Sequence, residues 1–306
     1  MRTIIIHHND ADGRCAAAIV GLSEYCNKEI TEYIEADYSM LKGTWPENFA
    51  DNVDRSYDTV GHVSEIFIVD FSLPEDMIKR LENLTTLYWI DHHASAKTYT
   101  YHHLKGLRDF TDKGKSGCEL AWDFCFPKGM NIKGEFGGVP TIVKLIGDYD
   151  TWRLEYEDRC KPLIVAMDAG QYKPDHPIWR SMFGLTNIWG AKVATITTLI
   201  EQGKIMINYR DGYAESICES YGFETVFENL NCYAVNIVKM GSMAFGDKIK
   251  KYDACIAFVF DGKHFSVSLY SEKANIDCSV ICGKYGGGGH KGAAGFVCKT
   301  LPFNKK

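Results

Sequence analysis

No stretch of this 306-residue sequence approaches the roughly 20 consecutive apolar residues that a membrane-spanning helix requires. The amino terminus, MRTIIIHHNDAD, passes from one Arg through three aliphatic residues straight into polar chemistry, so the apolar segment of a secretory signal is missing too. A cytoplasmic protein with no membrane partner is the expectation. Positive charge is also in short supply: 34 Lys and Arg stand against 40 Asp and Glu, for a formal net charge of −6. That excludes a global basic surface for gripping long duplex DNA, and any nucleic-acid substrate should be short or held in a local groove. None of the 11 cysteines forms a Cys-x-x-Cys pair; they sit in apolar runs such as GCELAWDFC and YDACIAFVF and read as buried, reduced thiols. Repeats and low-complexity tracts are lacking. So is a nucleotide-binding P-loop, because Gly114-Lys115-Ser116 has Asp109 where the first glycine of that motif should stand.

What is present suits a globular chain, 45% hydrophobic and 24% charged, long enough for two domains. In the first half, strand-like runs (TIIIHH at 3–8, EIFIVDF at 65–71, TLYWIDHH at 86–93) alternate with helix-like stretches. The helical ones are RCAAAIVGLSEYC, PEDMIKRLENL with Pro74 at its first position, SGCELAWDFCF with a Ser116-x-x-Glu119 capping box, and VPTIVKLIGDYDTW. Such alternation predicts an α/β domain with a parallel sheet and helices on both faces. Residues 155–188 carry three prolines without periodicity and read as irregular; from Lys192 to about Tyr221 a long helical pattern follows. The remainder, CYAVNIV, ACIAFVF, HFSVSLYS and GFVC, is strand-rich, with Asp261-Gly262 as a hairpin turn. The expected boundaries are 1–188, a linker helix at 189–225, and a smaller α/β domain at 226–306.

Four apolar segments end in acid or imidazole: His8, Asp10 and Asp12; Asp70; Asp91, His92 and His93; Asp148 and Asp150. A lone Asp after a strand is ordinarily a helix cap, but four such endings carrying two histidine clusters are poorly explained by capping. Strand ends of a parallel sheet lie along one edge, where ligands bind, so these groups should meet. Carboxylates packed together cannot all ionise without compensating charge, and divalent cations supply it. A mixed His and Asp set suits borderline transition metals, Mn²⁺ first.

With HNDADG, IVDF, IDHH and GDYDTW in this order, the sequence resembles the DHH phosphoesterase superfamily. The run GKYGGGGHKGAAGF (283–296) resembles the glycine-rich signature of its DHH-associated C-terminal domain. The resemblance implies an active-site cleft between two domains. It makes His8, Asp10, Asp12, Asp70, His92 and Asp150 the metal ligands, with Asp70 as a bridge; His93 would face the scissile phosphate, and Asp91 would orient the cluster. His7 competes with His8, since strand alternation admits only one, and Asp148 competes with Asp150. Substrate would be held by Gly286, Gly287, Gly288, Gly289, His290 and Lys291. The glycines allow close backbone approach, and the other two add donors. Tyr270 departs from the pattern: relatives that degrade short oligonucleotides carry Ser-Leu-Arg-Ser where this chain has Ser268-Leu269-Tyr270-Ser271, so a bidentate phosphate clamp gives way to one hydrogen bond or a stacking ring. Arg14, Lys115 and Arg153, beside the motifs, read equally as phosphate contacts or solvated charge. His102 and His103 have no acid or strand end beside them and read as surface or packing residues.

The expected function is a two-metal phosphodiesterase, Mn²⁺-dependent, that hydrolyses short RNA or DNA oligonucleotides or dinucleotides to mononucleotides, similar to the oligoribonuclease (nanoRNase) branch. The alternatives are a cyclic-dinucleotide phosphodiesterase, a 3′-phosphoadenosine 5′-phosphate phosphatase, and, outside enzymes, a nucleotide-binding sensor. A homodimer is admitted.

Overall fold

The computed structural model describes residues 2–24, 31–38, 63–127, 138–185, 195–238 and 240–305. The chain divides into two compact units, Met1–Met206 and Ile207–Lys306.

In the first unit, β1 (Arg2–His8), β2 (Thr31–Ala36), β3 (Val63–Val69) and β4 (Thr86–Ile90) form a sheet of order β2-β1-β3-β4, with every pairing parallel. Its strands are near-continuous apolar runs because both faces are covered, as a parallel sheet requires. Ile5, Phe67, Val69, Tyr88 and Ile90 face one core, shared with helices α1 (Ala11–Leu22), α3 (Gly117–Cys125), α4 (Thr141–Asp150) and α5 (Glu157–Gly170). Ile4, Ile6, Ile66, Ile68 and Trp89 face the other, shared with α2 (Glu75–Glu82). Each fully buried side chain of this size contributes roughly 1.5–3 kcal/mol. The strict alternation puts His7 on the first face and His8 on the second, while Asp70 and Asp91 follow directly on the last residues of β3 and β4.

Of residues 155–188, read as irregular, the described ones, 155–185, depart from that reading. They hold α5, with Pro162 inside it, and α6 (Ile178–Met182). Pro162 has no N–H for the carbonyl of Asp158, but Asp158 is exposed, so water can take that bond. Cys160, Leu163, Ile164 and Met167 bury at helical spacing and outweigh the break. β2 carries Glu32 and Glu35 at the sheet edge and has no apolar run to announce it. Pro74 caps α2 rather than occupying its first position, a shift of one residue. The first part of the expected linker, 189–194, lies outside the described residues; α7 covers Ile196–Tyr221.

In the second unit a six-stranded sheet runs β5 (Phe223–Phe227), β6 (Leu230–Asn236), β7 (Ala254–Phe260), β8 (Phe265–Tyr270), β10 (Ala293–Cys298), β9 (Gly288–His290). Only the β6–β7 pairing is parallel. The β7–β8 hairpin turns at Asp261-Gly262, where Asp261 Oδ1 accepts the N–H groups of Lys263 and His264, each at 2.7 Å. Among the described residues no helix is long and apolar enough to cross a membrane.

Candidate metal centre

The parallel register puts the C-terminal ends of β1, β3 and β4 side by side, and the polar residues that follow them converge. After β1 the chain turns at Asp10, whose Oδ1 caps α1 by accepting Gly13 N–H at 2.8 Å. Its other oxygen lies 2.6 Å from His8 Nδ1. Burial would raise the Asp10 pKa, but the imidazole of His8 and the Gly13 amide outweigh it and bring it down to about 2. Asp12, the second residue of α1, is 2% exposed. Its Oδ1 accepts Ser116 O–H at 2.8 Å and Cys118 N–H at 3.1 Å from the amino end of α3, leaving Oδ2 without a partner.

Asp70 is the centre of the arrangement. Its backbone is left-handed (φ 52°), a conformation Asp tolerates better than most residues, and its N–H stays joined to Ile90 O at 2.8 Å. The side chain is 1% exposed, and neither carboxylate oxygen makes a hydrogen bond among the described residues. Gly117 makes room for it: a Cβ there would stand 2.5 Å from Asp70 Cβ. Burial, then the charges of Asp12, Asp10, Asp150 and Asp91, push the Asp70 pKa well above the carboxylate range. Burial, then the charges of Asp12, Asp10 and Glu119, raise that of Asp150, the last residue of α4, to about 9.

His92 Nε2 stands 3.1 Å from Asp70 Oδ1, 3.2 Å from Asp150 Oδ2 and 3.9 Å from Asp12 Oδ2. These are short approaches, yet none is aligned as a hydrogen bond, and the buried nitrogen has no partner. Ligand atoms about 2.1 Å from one cation stand about 3 Å apart when adjacent in an octahedral shell, which is the spacing of His92 Nε2 from Asp70 and Asp150. Three overlapping donor groups result: His8, Asp10 and Asp70; Asp12, His92 and Asp150; and Asp70, His92 and His93. Orphaned buried oxygens, a buried nitrogen without a proton partner, and carboxyls that hold their protons for want of positive charge all fit divalent cations. In the first set a cation would replace the proton between His8 and Asp10.

Asp91 lies outside the donor sets and is fully buried. Its Oδ1 accepts from the backbone N–H of His92 and His93 and from His93 Nδ1, the last at 2.7 Å; Ser72 O–H donates to its Oδ2. Burial would raise its pKa, but the bonds from His93 and Ser72 hold it below the ordinary value.

The two competing ligands are placed elsewhere. His7 is buried on the opposite sheet face, with Nδ1 2.7 Å from His8 O, and burial lowers its pKa. Asp148 caps the turn after α4, accepting Glu155 N–H at 2.9 Å and Tyr156 N–H at 3.0 Å. The flanking cations have protein partners: Arg14 forks onto Glu35 at 2.8 and 3.1 Å, Arg153 bonds Glu119 at 2.8 Å, and Lys115 pairs with Asp123. Ser72, Tyr38, Ser116 and Gly117 were not singled out for the site by sequence. Tyr38, whose ring lies 5.7 Å from both His8 and His93, stands among polar residues with no motif to mark it. Ser116 showed only its capping role.

Residues 2–143 match the DHH family, N-terminal domain. Over this stretch, somewhat less than half of the chain, the protein is similar to that family. Two solved structures agree with the fold. The DHH domain of a protein described as a member of a ribosomal-protein family matches with a TM-score of 0.59 at 12% identity, covering 97% of this chain and 82% of that one. The pGpG-specific phosphodiesterase PggH of Vibrio cholerae matches at 0.52 and 11% identity, covering 98% and 94%. RecJ of Thermus thermophilus, in complex with Mn²⁺, scores 0.49 at 14% identity, covering 97% and 49%. No curated protein matches the sequence.

The expected substrate residues lie in the second unit, apart from the DHH domain's sequence match. Gly288–His290 is β9, paired with β10; His290 and Lys291 are exposed, and Tyr270 is half-buried with its ring 6.1 Å from Phe245. Gly287 and Gly289 are required by packing: a Cβ would stand 2.1 Å from Gly295 O and 2.6 Å from Ala294 Cα respectively, and Gly289 has φ 145°. Gly288 faces open space and has no such need.

Proposed function

We propose that the chain is a phosphodiesterase that uses two divalent cations, Mn²⁺ first, to hydrolyse short RNA or DNA oligonucleotides to mononucleotides. The observation that carries this reading is Asp70, a buried carboxylate with two unpartnered oxygens, grouped with ligand atoms on both sides. The mixed imidazole and carboxylate set favours Mn²⁺ over Mg²⁺ or Ca²⁺. Divalent cations there would supply Lewis-acid charge, making a water nucleophilic near neutral pH and neutralising phosphoryl oxygens. The chain's own residues would do the rest: Asp70 would bridge, His8, Asp10, Asp12, His92 and Asp150 would complete the ligands, and His93, held at Nδ1 by Asp91, would offer Nε2 to the scissile phosphate. Gly288, His290 and Lys291 of the second unit would supply substrate contacts. A net charge of −6 supports short substrates over long duplexes. The Vibrio structure is named for its action on pGpG, a dinucleotide, which supports including that length.

The test is a time course with Mn²⁺ on end-labelled RNA and DNA from dinucleotides, pGpG among them, to about 24 nucleotides, with His92→Ala as control. Mononucleotide release fastest from the shortest chains is the expected result. Turnover of cyclic dinucleotides or 3′-phosphoadenosine 5′-phosphate instead would reassign the substrate, and tight binding without cleavage under any divalent cation would make the protein a sensor.

A further inference from the structure

A buried relay stands behind His93. Trp89 Nε1–H donates to Ser72 Oγ at 3.2 Å, Ser72 O–H donates to Asp91 Oδ2, and Asp91 Oδ1 receives His93 Nδ1 at 2.7 Å. Trp89 and Asp91 are fully buried and Ser72 is 1% exposed, so no solvent competes for these bonds. A serine hydroxyl can rotate, but the indole N–H occupies one side of Oγ and leaves its hydrogen directed at Asp91. Ser72 is the one donor to Asp91 Oδ2 among the described residues, whereas Oδ1 also collects the N–H groups of His92 and His93. Asp91 belongs to none of the three donor groups and so acts through His93.

We infer that Ser72 is a positioning residue for His93: through Asp91 it fixes the imidazole with its proton on Nδ1 and leaves Nε2 for the substrate. Trp89 serves the same end by aiming the hydroxyl. Without Ser72 the carboxylate has a buried, unpaired oxygen and turns to find a donor, which draws Oδ1 off Nδ1. The role of Nε2 rests on the proposed phosphodiesterase reading; the tautomer does not.

The experiment combines ¹⁵N-histidine spectra of the full chain without metal and steady-state kinetics with Mn²⁺ on bis(p-nitrophenyl) phosphate, a generic phosphodiester. At a pH high enough to keep the ring neutral, wild type should show His93 in the Nδ1–H form, and Ser72→Ala should lose that single form. Ser72→Ala should lower kcat about 10-fold while KM and Mn²⁺ affinity stay within about twofold. On a His93→Ala background the same change should alter kcat by less than about twofold, since a residue acting only through His93 has nothing left to position. Trp89→Phe, which keeps the ring and loses the donor, should shift the spectrum in the same direction and stands in if Ser72→Ala does not fold. An unaltered His93 tautomer, or full additivity with His93→Ala, would overturn the inference. If wild type cleaves no phosphodiester, the proposed function fails while the spectra still decide the relay.

Discussion

At the scale of single residues, the acids near the site divide by what their oxygens do. Asp148 spends both on backbone N–H groups; Asp70 spends neither. Asp148→Asn should therefore cost about 1–3 kcal/mol of stability, seen in denaturant melts, with Mn²⁺ affinity little changed. Asp70→Asn should do the reverse. It removes a carboxyl that is unfavourable to bury, so chelator-treated protein should melt no lower than wild type, while Mn²⁺-dependent hydrolysis falls at least about 100-fold. Full activity in Asp70→Asn would remove the bridge from the account. These opposite roles were not legible in GDYD or IVDF, because the same residue type caps turns and binds cations; only the partners separate them.

At the scale of elements, helix ends and strand pleats aim the site. Ser116 caps α3 through a complete capping box and also donates to Asp12, so one hydroxyl joins the start of α3 to the first turn of α1. Ser116→Ala should cost about 1 kcal/mol from the cap and weaken Mn²⁺ binding as well, measurable by calorimetry. The glycine run divides in the same manner. Gly287→Ala forces a Cβ onto the Gly295 carbonyl and should lower the melting temperature, whereas Gly288→Ala, facing open space, should leave it unchanged and raise KM for oligonucleotides. An unchanged KM in Gly288→Ala would take the proposed substrate contact away. The capping box was readable from four letters of sequence, but its second duty depends on α1 and α3 meeting across 104 residues, which no local pattern encodes.

For the whole molecule, clustered acids make stability depend on pH and cations together. Asp70 and Asp150 have raised pKa values in the folded, metal-free chain, that of Asp150 about 9, against an ordinary value of 3.8. Between about pH 4 and pH 9 the folded state therefore binds more protons than the unfolded state, and stability falls as pH rises through that window. Below about pH 4 both states hold the protons and the loss disappears. Melting temperature in chelator should decline from about pH 5 to pH 9, and added Mn²⁺ should raise it most at the upper end, where the carboxylates it binds are least stable alone. A flat profile in chelator would mean the acids are not packed as described.

The amino-acid sequence determined by itself the alternation of strands and helices, the polar endings of β1, β3 and β4, and the similarity of residues 2–143 to the DHH family N-terminal domain, because hydrophobic periodicity and short motifs are local properties. It could not register β2, a polar edge strand, or α5, whose Pro162 hides a buried stripe, since neither is held by local preference alone. Tertiary structure decided which of His7 and His8 shares the acid cluster, because pleat direction is settled only when each sheet face has its core. It decided in the same way that Asp150 stands with His92 while Asp148 caps a turn, and that Ser72 and Trp89 stand behind Asp91. Each of these outcomes is set by contacts between segments distant in the chain, and the burial that makes them matter exists only once the sheet and its helices have closed on one another.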